Sequence, residues 1–163
     1  MDEIKKQDIE KTVYLDESHI ESQPYEYGWS KIGEKIPFKK EGKRGEKINL
    51  ISGLLNGKLI ALEDFKNNCN ADFFVSWLVL ALLPKLKSGF TIVMDNARFH
   101  HNKRVREAIE DAGCTLLYLP PYSPDLNPIE HYWYPLKNAI RKRKRDLKLS
   151  IFDAVKQELN YLN

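Results

Sequence analysis

Three acids in this chain stand where they could serve phosphate chemistry. Asp16 follows the short apolar run 12–15 (TVYL), and Asp95 follows the run 90–94 (FTIVM). Both runs read as strands. That puts each acid at a strand's carboxyl end, where α/β sheets gather their binding sites. If the two strands are neighbours, the carboxylates lie side by side, and one takes up a proton unless a cation sits between them. All-oxygen ligation suits Mg²⁺ or Mn²⁺. Two such ions about 3.5–4 Å apart serve an in-line displacement at phosphorus. A lone Asp after a strand is more often a turn residue, so the pair carries more weight than either member.

Glu130 has a competing explanation. Asn127, Pro128, Ile129 and Glu130 fit the N-cap and first three positions of a helix, where Glu130 would close a capping box. On spacing alone the cap is the commoner arrangement. The two roles are compatible, because a helix N-terminus keeps a nearby carboxylate ionised, as a metal ligand must be.

The elements that must position these acids follow from pattern. A short polar helix fits 2–10, and 18–45 reads as a long loop with room for a short strand. Strands over 47–55 and 58–62 flank Asn56-Gly57, a dipeptide suited to a tight hairpin. The spacing predicts a buried helix over 70–87, a strand over 90–94, and an amphipathic helix over 102–112 closed by Gly113. A strand over 115–119 comes next, then a proline-rich break, a helix from Pro128, and a last helix over 150–162 capped by Ser150. An antiparallel start followed by βαβ units implies a mixed sheet with helices packed on it, a three-layer α/β domain.

Composition narrows the classes. The chain has 163 residues, 42% hydrophobic and 30% charged, which fits one domain with a sizeable core. The longest apolar run, 73–83, is too short to span a bilayer. No secretory signal opens the chain. Cys69 and Cys114 lack metal or redox spacing and read as reduced core residues of a cytoplasmic protein. Net charge is +3, but it is unevenly placed. Segment 35–47 has six Lys/Arg against two Glu, and 131–150 has seven against one Asp. Two basic blocks on an acidic body suit a polyanion; a pair of solvated charged faces is the plainer alternative.

Longer motifs are more specific. MDNARFH (94–100) and LPPYSPDLNPIEHYW (119–133) resemble the bacterial insertion-sequence branch of the mariner-type DDE transposases. LDES (15–18) and YGWSKIGEKIP (27–37) resemble that family's first acidic motif and the loop after it. The second and third acids are separated by 34 residues, a spacing found in that group. The resemblance implies a ribonuclease H-like fold, a mixed five-stranded sheet with helices on both faces. It implies that Asp16, Asp95 and Glu130 are the catalytic, metal-binding triad holding Mg²⁺ or Mn²⁺, with two ions expected. The implied activity is cut-and-paste transposition: DNA hydrolysis, then attack of the freed 3′-hydroxyl on target DNA.

The implied partners are double-stranded DNA (element ends and target), a homodimeric mate, and a helix-turn-helix chain from an adjacent frame. Localisation would be cytoplasmic, at the nucleoid when DNA is bound. Family members carry helix-turn-helix modules before the catalytic domain. With the first acid at residue 16, this chain reads as one catalytic domain lacking them. Alternatives are an inactive or truncated DNA-binding remnant that associates with a full-length transposase, and a retroviral-type integrase, which the proline-rich motif disfavours.

Around the triad, Asn96 and His100 are candidates to position a water or phosphate. Turn hydrogen bonding for Asn96 and an exposed loop position for His100 are the plainer readings. Tyr27 and Trp29 suit either base contacts or core filling. Lys39, Lys40, Lys43 and Arg44 form one candidate DNA-binding set. Lys137, Arg141, Lys142, Arg143, Lys144 and Arg145 form the other. Lys137 lies seven residues after Glu130 on nearly the same helical face. Pro135 departs from the motif, and a kink there would upset that register.

Overall fold

In a computed structural model the described residues are 8–22, 46–66, 68–121 and 123–162. Tyr27, Trp29, Lys39, Lys40, Lys43, Arg44 and most of the expected loop lie outside them, as does most of the expected helix over 2–10. Ile9–Lys11 make a single 3-10 turn, capped by the Asp8 side chain.

Five strands form one mixed sheet. Strand β1 (Thr12–Glu21) pairs antiparallel with β2 (Lys47–Leu55), from Val13↔Leu55 to Glu21↔Lys47. Its other edge pairs parallel with β4 (Thr91–Met94), but only from Thr12↔Thr91 to Tyr14↔Val93. With β3 (Lys58–Phe65) and β5 (Thr115–Tyr118), the order is β3-β2-β1-β4-β5. The hairpin turn falls at Asn56 (φ 49°) and Gly57 (φ 74°) as the dipeptide requires.

β1 is longer than its apolar run. The polar stretch DESHIE continues the strand because β2 pairs with all of it, so Asp16 sits in mid-strand and not at a strand end. It lies instead just past the end of parallel pairing with β4. A residue at that point still opens onto the sheet's carboxyl-end crevice.

Helices cover both faces. Helix α1 (Ala71–Trp77) is capped by Asn70, whose side chain accepts the Phe73 amide at 2.9 Å. The expected continuous helix over 70–87 instead widens into a π turn at Leu78–Leu82 and tightens into a 3-10 turn at Leu83–Lys85. Pro84 has no N–H to extend the ladder, so the helix stops there. Only one face of this segment is buried: Phe74, Trp77, Leu78 and Leu82 face the core, while Leu80 is 78% exposed. Helix α2 (Lys103–Asp111) starts at an Asn102 cap and ends before Gly113 (φ 70°). These pack Val105 and Ile109 with Val13, Leu15, Ile92 and Met94 on one face.

On the other face, α3 (Glu130–Leu147) and α4 (Ile151–Leu162) bury Trp133, Leu136, Ile140, Val155 and Leu159 against Ile20, Leu50 and Leu54. Ser150 caps α4 through the Asp153 amide. Helix α3 runs unbroken through Pro135. Leu136 and Ile140 stay buried in phase with Trp133, so the helical register survives the proline. Among the described residues no helix is long and apolar enough to cross a membrane.

Candidate active site

Asp16, Asp95 and Glu130 line one cleft of about 490 Å³, together with Asn96, Ala97, Leu119, Pro120, Pro121, Ser123 and Asn127. Asp16 comes from β1, Asp95 from the residue after β4, and Glu130 from the first turn of α3. Distant parts of the chain thus meet at the crevice beside the β1–β4 pair. Among the described residues, no group of three His, Cys, Asp or Glu side chains is clustered tightly enough to hold a metal ion as placed. The three carboxylates share the walls of the cleft.

Each Asp is held from behind. The Trp133 indole N–H donates to Asp16 Oδ2 at 2.7 Å. Trp133 is 2% exposed and anchored in the core, so it fixes the carboxylate. Burial pushes the Asp16 carboxyl up to about 7; the Trp133 bond opposes this, and the neighbouring Glu130 and Glu17 charges add to it. A group in that position ionises poorly by itself and readily beside a cation.

Asp95 behaves in the opposite way. Its Oδ1 accepts from His100 Nδ1–H at 2.8 Å and from the Ala97 amide at 2.9 Å. These bonds, His100 foremost, hold its carboxyl below the usual range despite partial burial. Both of these bonds fall on Oδ1.

His100 is no exposed loop residue. It is 1% exposed, packed by Phe74 and Phe99 at ring distances of 4.5 and 4.4 Å. Nε2–H donates to Glu17 Oε1 at 3.2 Å. Burial disfavours its charge, but the bonds to Asp95 and Glu17 outweigh that and raise the imidazole to about 9. An imidazolium bridging two carboxylates results, with its backbone carbonyl held by the Tyr118 hydroxyl at 2.9 Å.

Asn96 does not make a local turn bond. Its amide N–H donates to the Leu119 carbonyl, tying the end of β4 to the end of β5, and its Oδ1 accepts from His101 Nε2–H at 3.2 Å. The capping box is also absent. Asn127 turns away from the helix and donates to the Leu15 carbonyl at 3.1 Å, next to Asp16, while its buried Oδ1 has no partner. The helix therefore opens from a turn at Pro128-Ile129 with no side-chain cap, and Glu130 is free to face the cleft.

The basic residues of α3 divide. Lys137 is half-buried; burial and the nearby Arg141 push its ammonium down, while Glu130 and Asp16 pull it up. Arg141 donates to Asn138 Oδ1 at 3.3 Å, and its Nε is buried without a partner. Lys142 is exposed. Arg143 pairs with the buried Glu158 of α4 at 2.7 Å, Lys144 donates to the Ser22 carbonyl at 2.8 Å, and Arg145 pairs with Asp146 at 3.1 Å.

A mixed sheet in this order, flanked by helices and carrying carboxylates on β1, after β4 and on a following helix, defines a ribonuclease H-like domain. The sequence signature of the DDE superfamily endonucleases matches residues 11–150, most of the chain, and the chain belongs to that family. It is 37% identical over 71 residues to the transposable element Tc1 transposase of Caenorhabditis elegans, covering 42% of this chain and 26% of that protein. The chain thus spans about a quarter of that relative's length.

Solved structures of other proteins share the fold. The catalytic domain of Mos1 mariner transposase superposes with a TM-score of 0.67 at 20% identity, covering 96% of this chain and 71% of that one. The Mos1 mariner paired-end complex with Mn superposes at 0.64 and 19% identity, covering 94% and 53%.

Proposed function

We propose that this chain is the part of a transposase that cuts and joins DNA, with Asp16, Asp95 and Glu130 holding divalent metal in the cleft they line. The observation that carries this reading is the meeting of the three carboxylates at one crevice from three separate elements, within a family of DDE endonucleases. The donor set fits Mg²⁺ or Mn²⁺: carboxylate oxygens with the unpartnered Asn127 Oδ1 beside them. The Mos1 complex with Mn supports the same choice.

When bound, the metal would supply positive charge that favours ionisation of the attacking hydroxyl and stabilises the departing oxygen. The chain's own residues do the rest. Trp133 and His100 fix the two Asp side chains, so that each carboxylate has little freedom to lose on binding an ion. Asn96 ties the proline-rich wall to the end of β4. Lys137 and Arg141 hold the phosphate backbone beside the cleft. The cognate substrates would be element ends and target DNA. A dimeric mate and a helix-turn-helix partner chain complete the proposed assembly, acting at the nucleoid.

A supercoiled plasmid incubated with the chain and Mg²⁺ or Mn²⁺ tests this. The expected result is nicked circles with metal, and none with chelator or with Asp95→Asn. Equal nicking by the wild-type chain and Asp95→Asn would refute it.

A further inference from the structure

Helix α3 carries an exposed aromatic ring that the cleft does not use. At about 100° per residue, Glu130, Tyr134, Lys137 and Arg141 fall on one narrow stripe, while Trp133, Leu136 and Ile140 point into the core. The opposite flank is committed to α4 through Arg143 and Glu158. The stripe therefore continues outward from the cleft that Glu130 lines. The pull of Glu130 and Asp16 on the Lys137 ammonium agrees with this flank bordering the carboxylates.

Tyr134 is 73% exposed and lies one turn past Glu130, about 6 Å along the axis. The comparably exposed Tyr161 has Arg143 over its ring at 5.8 Å. Tyr134 has no ring or cation partner among the described residues. A large ring left bare between a cleft carboxylate and two cations suits a ligand with alternating anionic and flat apolar parts. A nucleic-acid strand has that chemistry, its phosphates meeting the cations and its bases meeting the ring.

We propose that Tyr134 stacks on an unpaired nucleobase next to a backbone phosphate beside the cleft, which Lys137 and Arg141 grip on the same stripe. The inference rests on the DNA-processing reading above. It adds a preference for strand ends with exposed bases, since a paired base offers no free face to the ring.

Fluorescence anisotropy in chelator, without metal, tests it. The probes are a blunt duplex, the same duplex with a three-nucleotide overhang on the 3′ or the 5′ side, and matching overhangs of abasic nucleotides. The wild-type chain is expected to bind at least one base-containing overhang about 5- to 100-fold more tightly than its abasic counterpart. Tyr134→Phe keeps that preference. Tyr134→Ala loses it, while blunt-duplex affinity changes by no more than about twofold, because a paired base offers the ring no free face and the position is 73% exposed. Binding without base preference in the wild-type chain, or a preference that survives Tyr134→Ala, overturns this inference alone. Absence of salt-dependent binding to every probe overturns the DNA reading beneath it as well.

Discussion

Replacing Trp133 with Phe removes one hydrogen bond from the site while keeping most of a buried aromatic ring. The lost bond is the indole N–H to Asp16 Oδ2 at 2.7 Å. A hydrogen bond to a charged group contributes roughly 1.5–3 kcal/mol, and one pKa unit corresponds to about 1.4 kcal/mol. The Asp16 carboxyl already stands at about 7 with this bond opposing the shift. In Trp133→Phe it should therefore rise by about 1–2 units. At pH 7 the ionised fraction would fall from about one half to between roughly 1 and 10%. Since the ion requires the carboxylate, apparent Mn²⁺ affinity should drop about 5- to 50-fold at pH 7 and recover by about pH 9. Carboxyl ¹³C NMR titration of Asp16 and calorimetric Mn²⁺ titration at both pH values measure this. An unmoved Asp16 titration, or an affinity loss that persists at high pH, would refute the claim that Trp133 acts through the charge of Asp16.

Other outcomes follow from the same geometry. The folded-state value of Asp16 lies above the ordinary carboxyl value, so the native chain holds a proton that the unfolded chain releases between about pH 4 and 7, and stability falls as pH rises through that window. Asp16→Asn should accordingly stabilise the chain by about 1–3 kcal/mol at pH 8 and hardly at all at pH 4, read by denaturant melts; equal effects at both pH values would contradict this. The His100 imidazole is raised to about 9, so its contribution is complete below about pH 6.5 and fades as pH rises through 9. His100→Gln should cost about 3 kcal/mol at pH 6 and much less at pH 10; a pH-independent loss would assign the histidine a packing role only. Pro135→Ala restores an N–H that can reach the His131 carbonyl within an unbroken helix, and should raise stability by about 1–3 kcal/mol, read as a higher melting temperature.

Much of the site was legible because its parts sit on strongly patterned elements. The apolar runs before Asp16 and Asp95 fold as parallel neighbours, and the proline-rich motif delivers Glu130 to the same cleft. Three features escaped pattern reading. DESHIE has no strand-like alternation; its conformation comes from β2, whose partnership is set by long-range pairing. Trp133 lies on the apolar stripe of a helix and reads as core filling, and nothing local shows that its N–H meets an acid 117 positions away. His100 looks like a loop residue until Phe74 and Phe99 close over it. Asn127 is the reverse case: a good capping residue by type that tertiary structure diverts to the Leu15 carbonyl. In each case the decisive contact joins distant segments, which sequence periodicity does not encode.

The most direct test of the account is anomalous X-ray scattering from crystals of the chain soaked in Mn²⁺. Density is expected between the carboxylates of Asp16 and Asp95, with Glu130 alongside, and should disappear in Asp16→Asn crystals. Saturating Mn²⁺ that leaves this cleft without density in the wild-type chain, or that binds only elsewhere, would contradict it.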